Sequence, residues 1–279
     1  MAVPYKAPVK DIVFGYEVID SYNVLNKISA FSDFSEDIVI PTMEECAKFS
    51  EEVLAPINAI GDQQGATIKD GVVTMPEEFV DAYKKFAEAG WASISLPSDI
   101  GGGGMPITLS GGTLEILSTA NLAFGLAPGL SAGAISAINF HGNQEQKDKF
   151  LPKLVSGEWT GTMNLSEPQS GSDLGTITTK AEPQEDGSYK ITGTKVWITF
   201  GEHNMTENII HLVLAKVPGS PEGTKGISMF IVPKYIVNDD GSIGDSNNVS
   251  CISIEEKLGI HASPTCVMEY DGSVGYLVG

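Results

Sequence analysis

The sequence predicts an α+β chain, an all-α N-terminal domain followed by an antiparallel β-barrel or sandwich domain. Three observations carry that prediction. Through residue 157 apolar side chains recur at helical spacing, and from Trp159 the apolar runs become short and β-branched. Turn dipeptides rather than helical segments separate those runs, which implies strands joined as hairpins.

Residues 1–40 mix aromatics with acids and read as an extended or short-helical N-terminal arm that lies on another surface to bury Phe14, Tyr16, Tyr22 and Phe31. A helical domain over 41–157 follows. Thr42-Met-Glu-Glu45 has the form of a capping box, and Met43, Cys46, Ala47, Phe49, Val53 and Leu54 make an apolar stripe of about three turns. Met75-Pro76 opens a second helix with Phe79, Val80, Tyr83, Phe86 and Ala87 on one face, and Gly90 suits its end. The run Gly101 to Gly104 matches neither GxGxxG nor GxxxxGK[ST], so it reads as a helix connection rather than a phosphate loop. A third helical region surrounds Thr113 to Thr119. Asn143 and Gln146 flank a further helix whose Phe150, Leu151, Leu154 and Val155 face inward before Gly157. The β domain, 158–279, contains the strand-like runs Tyr189–Phe200, Ile209–Ala215, Gly226–Val232 and Cys266–Met268, with turns at Glu185-Asp-Gly187 and Asp239-Asp-Gly241.

Composition narrows the function. The 279 residues carry 17 basic and 36 acidic side chains, a net charge of −19, which argues against a nucleic-acid partner. Cys46, Cys251 and Cys266 are few, odd in number and without metal-ligand spacing, so neither a disulfide framework nor a zinc site is expected and a cytoplasmic setting is natural. The opening residues lack the basic and apolar pattern of a secretory signal. Ile116 to Gln144 holds no charge and is long enough to span a bilayer, but Asn121, Pro128, Ser131, Ser136, Asn139 and His141 interrupt it, so it reads as a buried helix pair and not a membrane span.

The chemistry concentrates in two segments. Met163-Asn-Leu-Ser-Glu-Pro-Gln-Ser-Gly-Ser-Asp173 joins a hydroxyl and free backbone N–H groups to a Glu-Pro turn and a tight Gly-Ser-Asp turn that a ligand can approach. Lys195-Val-Trp-Ile-Thr-Phe-Gly201 offers an indole and a threonine hydroxyl two residues apart, on one face of a strand. In kind and order these segments resemble the motifs with which acyl-CoA dehydrogenases wrap the isoalloxazine ring of FAD. Phe49–Asn58, Ala120–Gly125, Phe150–Met163, Gly201–Ile209 and Lys257–Met268 extend the resemblance over nearly the whole chain, toward the subclass that includes 3-methylmercaptopropionyl-CoA dehydrogenases.

The resemblance implies FAD as cofactor, an acyl-CoA substrate oxidised to the trans-2-enoyl-CoA, electron-transfer flavoprotein as acceptor and a homo-oligomeric parent. It maps pyrimidine-edge contacts onto Leu165 and Ser166, ring packing onto Met163, cover of the dimethylbenzene side onto Trp197 with Ile198 beside it, and an O4/N5 contact onto Thr199. It places Ser172 near the thioester arm or pantetheine and Ser263, in His261-Ala-Ser-Pro264, near the coenzyme A phosphates. Glu167 is expected to shape its turn and Asp173 to cap local N–H groups. His203 is a further candidate for a polar contact. The family carries its base glutamate in a C-terminal helical bundle, expected beyond Gly279, so no catalytic residue is assigned here and the chain alone is expected to be inactive. Two other functions share the scaffold: a non-catalytic acyl-CoA or protein-binding module, and a flavin oxidase or hydroxylase.

Overall fold

The computed structural model describes residues 4–279. The first three residues, on which the absence of a signal pattern partly rests, lie outside the described residues.

The N-terminal arm is helical rather than extended. Helix α1 (Val9–Val18) buries Val13 and Tyr16, the short α2 (Ser21–Leu25) follows, and the Tyr16 hydroxyl donates to Thr108 O at 2.7 Å. Tyr22 and Phe31 are half-buried, but Phe14 stays exposed, against the expectation that all four aromatics would be covered. Helix α3 spans Glu36–Phe49 and begins six residues before the expected capping box. Ser35 is extended and Glu36 and Asp37 occupy the first turn, where the positive end of the helix dipole favours acids. Thr42 therefore lies inside the helix, its hydroxyl bonded to Ile38 O, and Pro41 sits in the helix four residues after the exposed Asp37.

A π-helical turn, Ser50–Leu54, joins α3 to α4 (Ala55–Gln64), and Asn121 Nδ2 donates to Leu54 O within it. A hairpin of β1 (Thr67–Lys69) and β2 (Val72–Thr74) interrupts the helices. Its turn places Asp70 and Gly71 at φ 51° and 80°, the left-handed pair of a type I′ turn. Four helices complete this part: α5 (Glu77–Glu88), α6 (Ile107–Ala120), α7 (Leu122–His141) and α8 (Gln144–Val155). Asn143 and Gln146 form a reciprocal capping box at the start of α8. Met43, Phe79, Phe86, Leu109 and Phe124 fill the helical core, with Phe86 edge-on to Phe124. The uncharged stretch becomes the end of α6 and all of α7. By length and composition α7 could cross a membrane; here it packs against α6, α8 and the β domain, with 44% of its most apolar window buried.

The β domain comprises β3 (Thr160–Asn164), β4 (Lys180–Pro183), β5 (Tyr189–Thr199), β6 (Ile209–Lys216), β7 (Ile227–Pro233), β8 (Tyr235–Val237), β9 (Ile243–Ser246), β10 (Val249–Glu255) and β11 (Thr265–Leu277). Strand β11 pairs first with β10 and β5, then at Tyr276 and Leu277 with β7, which pairs with β6, and β6 meets β4 beside β5. The ring β5-β4-β6-β7-β11 closes a small barrel whose core holds Ile191, Ile198, Val213, Phe230, Val232 and Met268. The sheet is mixed rather than purely antiparallel, because β3 pairs with β6, and β4 touches β6, in parallel. Strand β3 is an end strand reached from the helices, not by a hairpin, so nothing forces it to oppose its neighbour. A Cβ at Gly161 would stand 2.4 Å from Ala134 Cβ; only glycine lets β3 lie so close to α7.

Candidate functional site

The two segments singled out in the sequence are brought together where β3 leaves the sheet beside the end of β5. Val196 N–H donates to Ser166 O at 2.9 Å, and Thr162 Oγ1 donates to Thr199 O at 2.7 Å. Strand β3 has β6 on one side only. On its other side Gly161 N–H goes to Ser131 Oγ, and the N–H groups at Met163 and Leu165 have no partner among the described residues. The hydroxyls of Ser166 and Thr199 likewise make no bond inside the described residues, and both residues are half-buried, as are Met163 and Leu165.

Simple alternation does not describe β5 here. Opposite it, β11 pairs Cys266 with Ile198 but Met268 with Lys195, so Val196 and Trp197 face the single residue Val267. Trp197 occupies this bulge at φ 59°, and Phe200 follows at 53°. A bulky residue held in the left-handed region costs on the order of 1–2 kcal/mol. The result is an indole 54% exposed between buried Val196 and Ile198. Trp197 and Thr199 share the outer face on either side of buried Ile198, while the bulge breaks the alternation between Lys195 and Val196. Ile198 is 2% exposed within the barrel core, so only its main chain faces the segment from 163 to 166.

Below this surface lies a charge that the sequence reading did not foresee. Lys195 and Glu167 are 0% and 2% exposed and 2.9 Å apart. Burial raises the Glu167 pKa, but bonds from the hydroxyl of Thr179, the N–H of Thr178 and Lys195 outweigh it and hold the carboxyl down to about 2. Thr178 Oγ1, Thr179 N–H and Gln169 Nε2 donate as well. Lys195 Nζ also donates to Leu165 O, tying the charge to the backbone of the first segment. Glu167 does more than shape a turn. Through Lys195 it fixes the two segments to each other.

The remaining candidates separate. Asp173 accepts from Gly175 N–H, as a local cap, and Ser172 is exposed in the adjoining loop. Ser263 is 2% exposed, and its hydroxyl is enclosed without a partner, so it does not present a surface donor to a phosphate. His203 is fully buried as well: Met205 N–H donates to Nδ1, which leaves the proton on Nε2 to donate to Thr160 Oγ1 at 3.0 Å. Burial, with Lys234 nearby, lowers its pKa to about 3. It braces β3 from beneath rather than facing a ligand. Glu202 pairs with Lys234 at 2.6 Å, and burial raises its pKa.

The arrangement offers what a flat, electron-accepting heterocycle needs. Undirected main-chain donors at Met163 and Leu165 and hydroxyls at Ser166 and Thr199 stand beside an exposed indole, all on a rigid support. These residues fit a flavin.

Comparison with known proteins follows the same line. Residues 41–158 match the acyl-CoA dehydrogenase N-terminal domain and residues 162–273 the middle domain. The 3-methylmercaptopropionyl-CoA dehydrogenase of Ruegeria pomeroyi (strain ATCC 700808 / DSM 15171 / DSS-3) is 46% identical over 99% of this chain and 47% of its own length. The chain spans about half the length of the first curated relatives it matches. Among solved structures, an acyl-CoA dehydrogenase complexed with FAD from Bacillus anthracis superposes with a TM-score of 0.70 at 26% identity, over 88% of this chain and 38% of that one. A structure described as the electron transferring flavoprotein of Acidaminococcus fermentans gives 0.69 at 26%, over 88% and 58%. The family binds FAD, and its members are oxidoreductases. By its N-terminal and middle domains, the chain belongs to the acyl-CoA dehydrogenase family.

Proposed function

We propose that this chain supplies the flavin-binding wall of an FAD-dependent acyl-CoA dehydrogenase that oxidises an acyl-CoA thioester to the trans-2-enoyl-CoA. The observation that carries the reading is the bulge in β5, which holds Trp197 in a strained conformation with its indole exposed beside unpaired donors. Backbone strain persists only where the surroundings over-determine it, and it gathers at functional sites.

FAD, when bound, supplies the hydride acceptor. Leu165 N–H and the Ser166 hydroxyl would hold the pyrimidine edge, where fixed donors stabilise developing negative charge without reorganising. The Thr199 hydroxyl would hold the opposite edge, with Met163, Trp197 and the backbone of Ile198 against the ring. Ser172, exposed on the adjoining loop, would meet the substrate arm; the enclosed Ser263 would serve there only after local opening. The buried carboxylates at these motifs, Glu167 in the first and Glu202 just past the second, are unsuited to remove the α-proton, since each is held by a lysine. In keeping with the family resemblance, we place the base outside these 279 residues and expect the chain alone to be inactive. Electron-transfer flavoprotein as acceptor, a homo-oligomeric whole protein and a cytoplasmic location complete the proposal.

Titration of FAD into the purified chain, followed by flavin fluorescence, tests the binding. Saturable quenching is expected, weakened by Thr199→Val and by Trp197→Ala; quenching indifferent to both substitutions would sink the assignment. Anaerobic addition of an acyl-CoA should leave the flavin absorbance of the loaded chain unbleached.

A further inference from the structure

One concavity is lined by no residue of the flavin segments, and its chemistry is distinct. Helix α5, the turn after α8 and the loop 204–207 line an open groove of about 660 Å³. Val80, Ala87 and Met205 make its wall apolar, and its volume falls within the usual range for small-molecule sites. Tyr83 is among its lining residues. Tyr83 is 3% exposed, yet its hydroxyl makes no hydrogen bond among the described residues, whereas those of Tyr5, Tyr16 and Tyr270 do; the Tyr22 hydroxyl also lacks a partner but is fully enclosed. A phenol buried to this degree normally finds a partner. Tyr83 is not fully enclosed, so its partner can come from the groove.

The rim decides the sign of the occupant. Lys84, Glu88, Glu158 and Glu207 stand around the mouth. Glu158 is committed to Lys153 and to Ser156, so its charge is already matched. Glu88 and Glu207 remain against Lys84, an excess of one negative charge in a chain whose total is −19. An anion would meet repulsion near and far. A cation would not.

We propose that this groove binds a small amphiphilic ammonium compound, its apolar body against Val80, Ala87 and Met205 and its N–H donors shared between the Tyr83 oxygen and the carboxylates of Glu88 and Glu207. The site stands apart from the flavin reading, and nothing in it depends on the cofactor. Isothermal titration of the 279-residue chain with 2-phenylethylamine, with and without FAD, tests it against 3-phenylpropionate as the anionic counterpart. The amine binds and the acid does not, to the same degree in both conditions. Tyr83→Phe keeps the ring in the core and weakens the amine about fivefold, the loss of one hydrogen bond. Glu207→Gln weakens it about threefold, and Ala87→Trp, which fills the groove, removes binding. Equal binding of the acid, or amine binding untouched by Tyr83→Phe in a variant with unchanged melting temperature, overturns the proposal.

Discussion

Two kinds of buried polar cluster lie in the β domain, and they solve burial differently. Under the first segment, Glu167 and Lys195 are kept charged: six hydrogen bonds reach the carboxylate, and the ammonium is spent on it and on Leu165 O. Under β3 and β6, the clusters are neutral. His203 sits between Met205 N–H and Thr160, and His211 lies against Asn164 and Tyr270, whose hydroxyl donates to Asn164 Oδ1 at 2.8 Å. The lesson is that a buried ion is tolerable when its donors are numerous and local, whereas a buried imidazole survives by refusing its proton. Each solution has its own way to fail.

The charged cluster should fail hardest. Glu167→Gln leaves Lys195 charged in a dry site, and breaking a buried pair from one side costs about 3–5 kcal/mol. Urea denaturation of the variant is expected to show that loss, while the double substitution Glu167→Gln with Lys195→Met should recover a good part of it. A double variant no more stable than the single one would show that the pair's charges were not the cause.

Acid distinguishes the two clusters. Burial first, and Lys234 second, lower the pKa of both His203 and His211 to about 3, below the ordinary 6.5 of an unfolded histidine. The unfolded chain therefore takes up protons first, so their contribution is complete above about pH 6.5 and falls away as the pH drops toward 3. Between pH 7 and pH 5 the loss is roughly 2 kcal/mol per histidine. Glu167, held at about 2 against an ordinary 4.5, has the same sign in a lower window: its contribution is lost only as pH falls below about 4.5 toward 2. Melting temperature against pH should thus decline in two stages. A flat curve from pH 7 to 5 would mean that the histidines are not buried neutral.

Smaller is the effect of Thr160→Val, which removes the acceptor of His203 Nε2–H and leaves that donor enclosed. The expected loss is about 1–3 kcal/mol at neutral pH. It should shrink where His203→Gln is already present, a double-mutant cycle that reads the coupling directly.

How far these features were legible follows the range of the forces involved. Helix α5 was written in Met75-Pro76 and its stripe, and α8 in Asn143 and Gln146, because caps and periodicity are local. The β1–β2 hairpin was equally local, since Asp70-Gly71 is a type I′ signal, but it lay among helical patterns and was passed over. The start of α3 went astray because Thr42-Met-Glu-Glu45 satisfies the capping pattern inside a helix as well as before one. Burial of Lys195 was not legible at all. It depends on Glu167, Thr178 and Thr179 arriving from another part of the chain, and composition alone argues that lysine is outside. The segments from 163 and from 195 could be paired by resemblance; the bulge in the second is a matter of register with β11.

That bulge supports the mildest test, and the one that separates stability from function most cleanly. Trp197 at φ 59° pays a backbone cost that glycine avoids, and its indole is 54% exposed, so little burial is lost with it. Trp197→Gly should leave stability within about 1 kcal/mol of the parent, with relief of strain set against the greater entropy of the unfolded chain. If the strain exists to present the indole to a flavin, the same variant should lose FAD affinity while its melting curve barely moves. A variant that melts several degrees lower and binds FAD as before would assign Trp197 to the packing of the barrel, and the comparison between a braced support and a strained contact surface would dissolve.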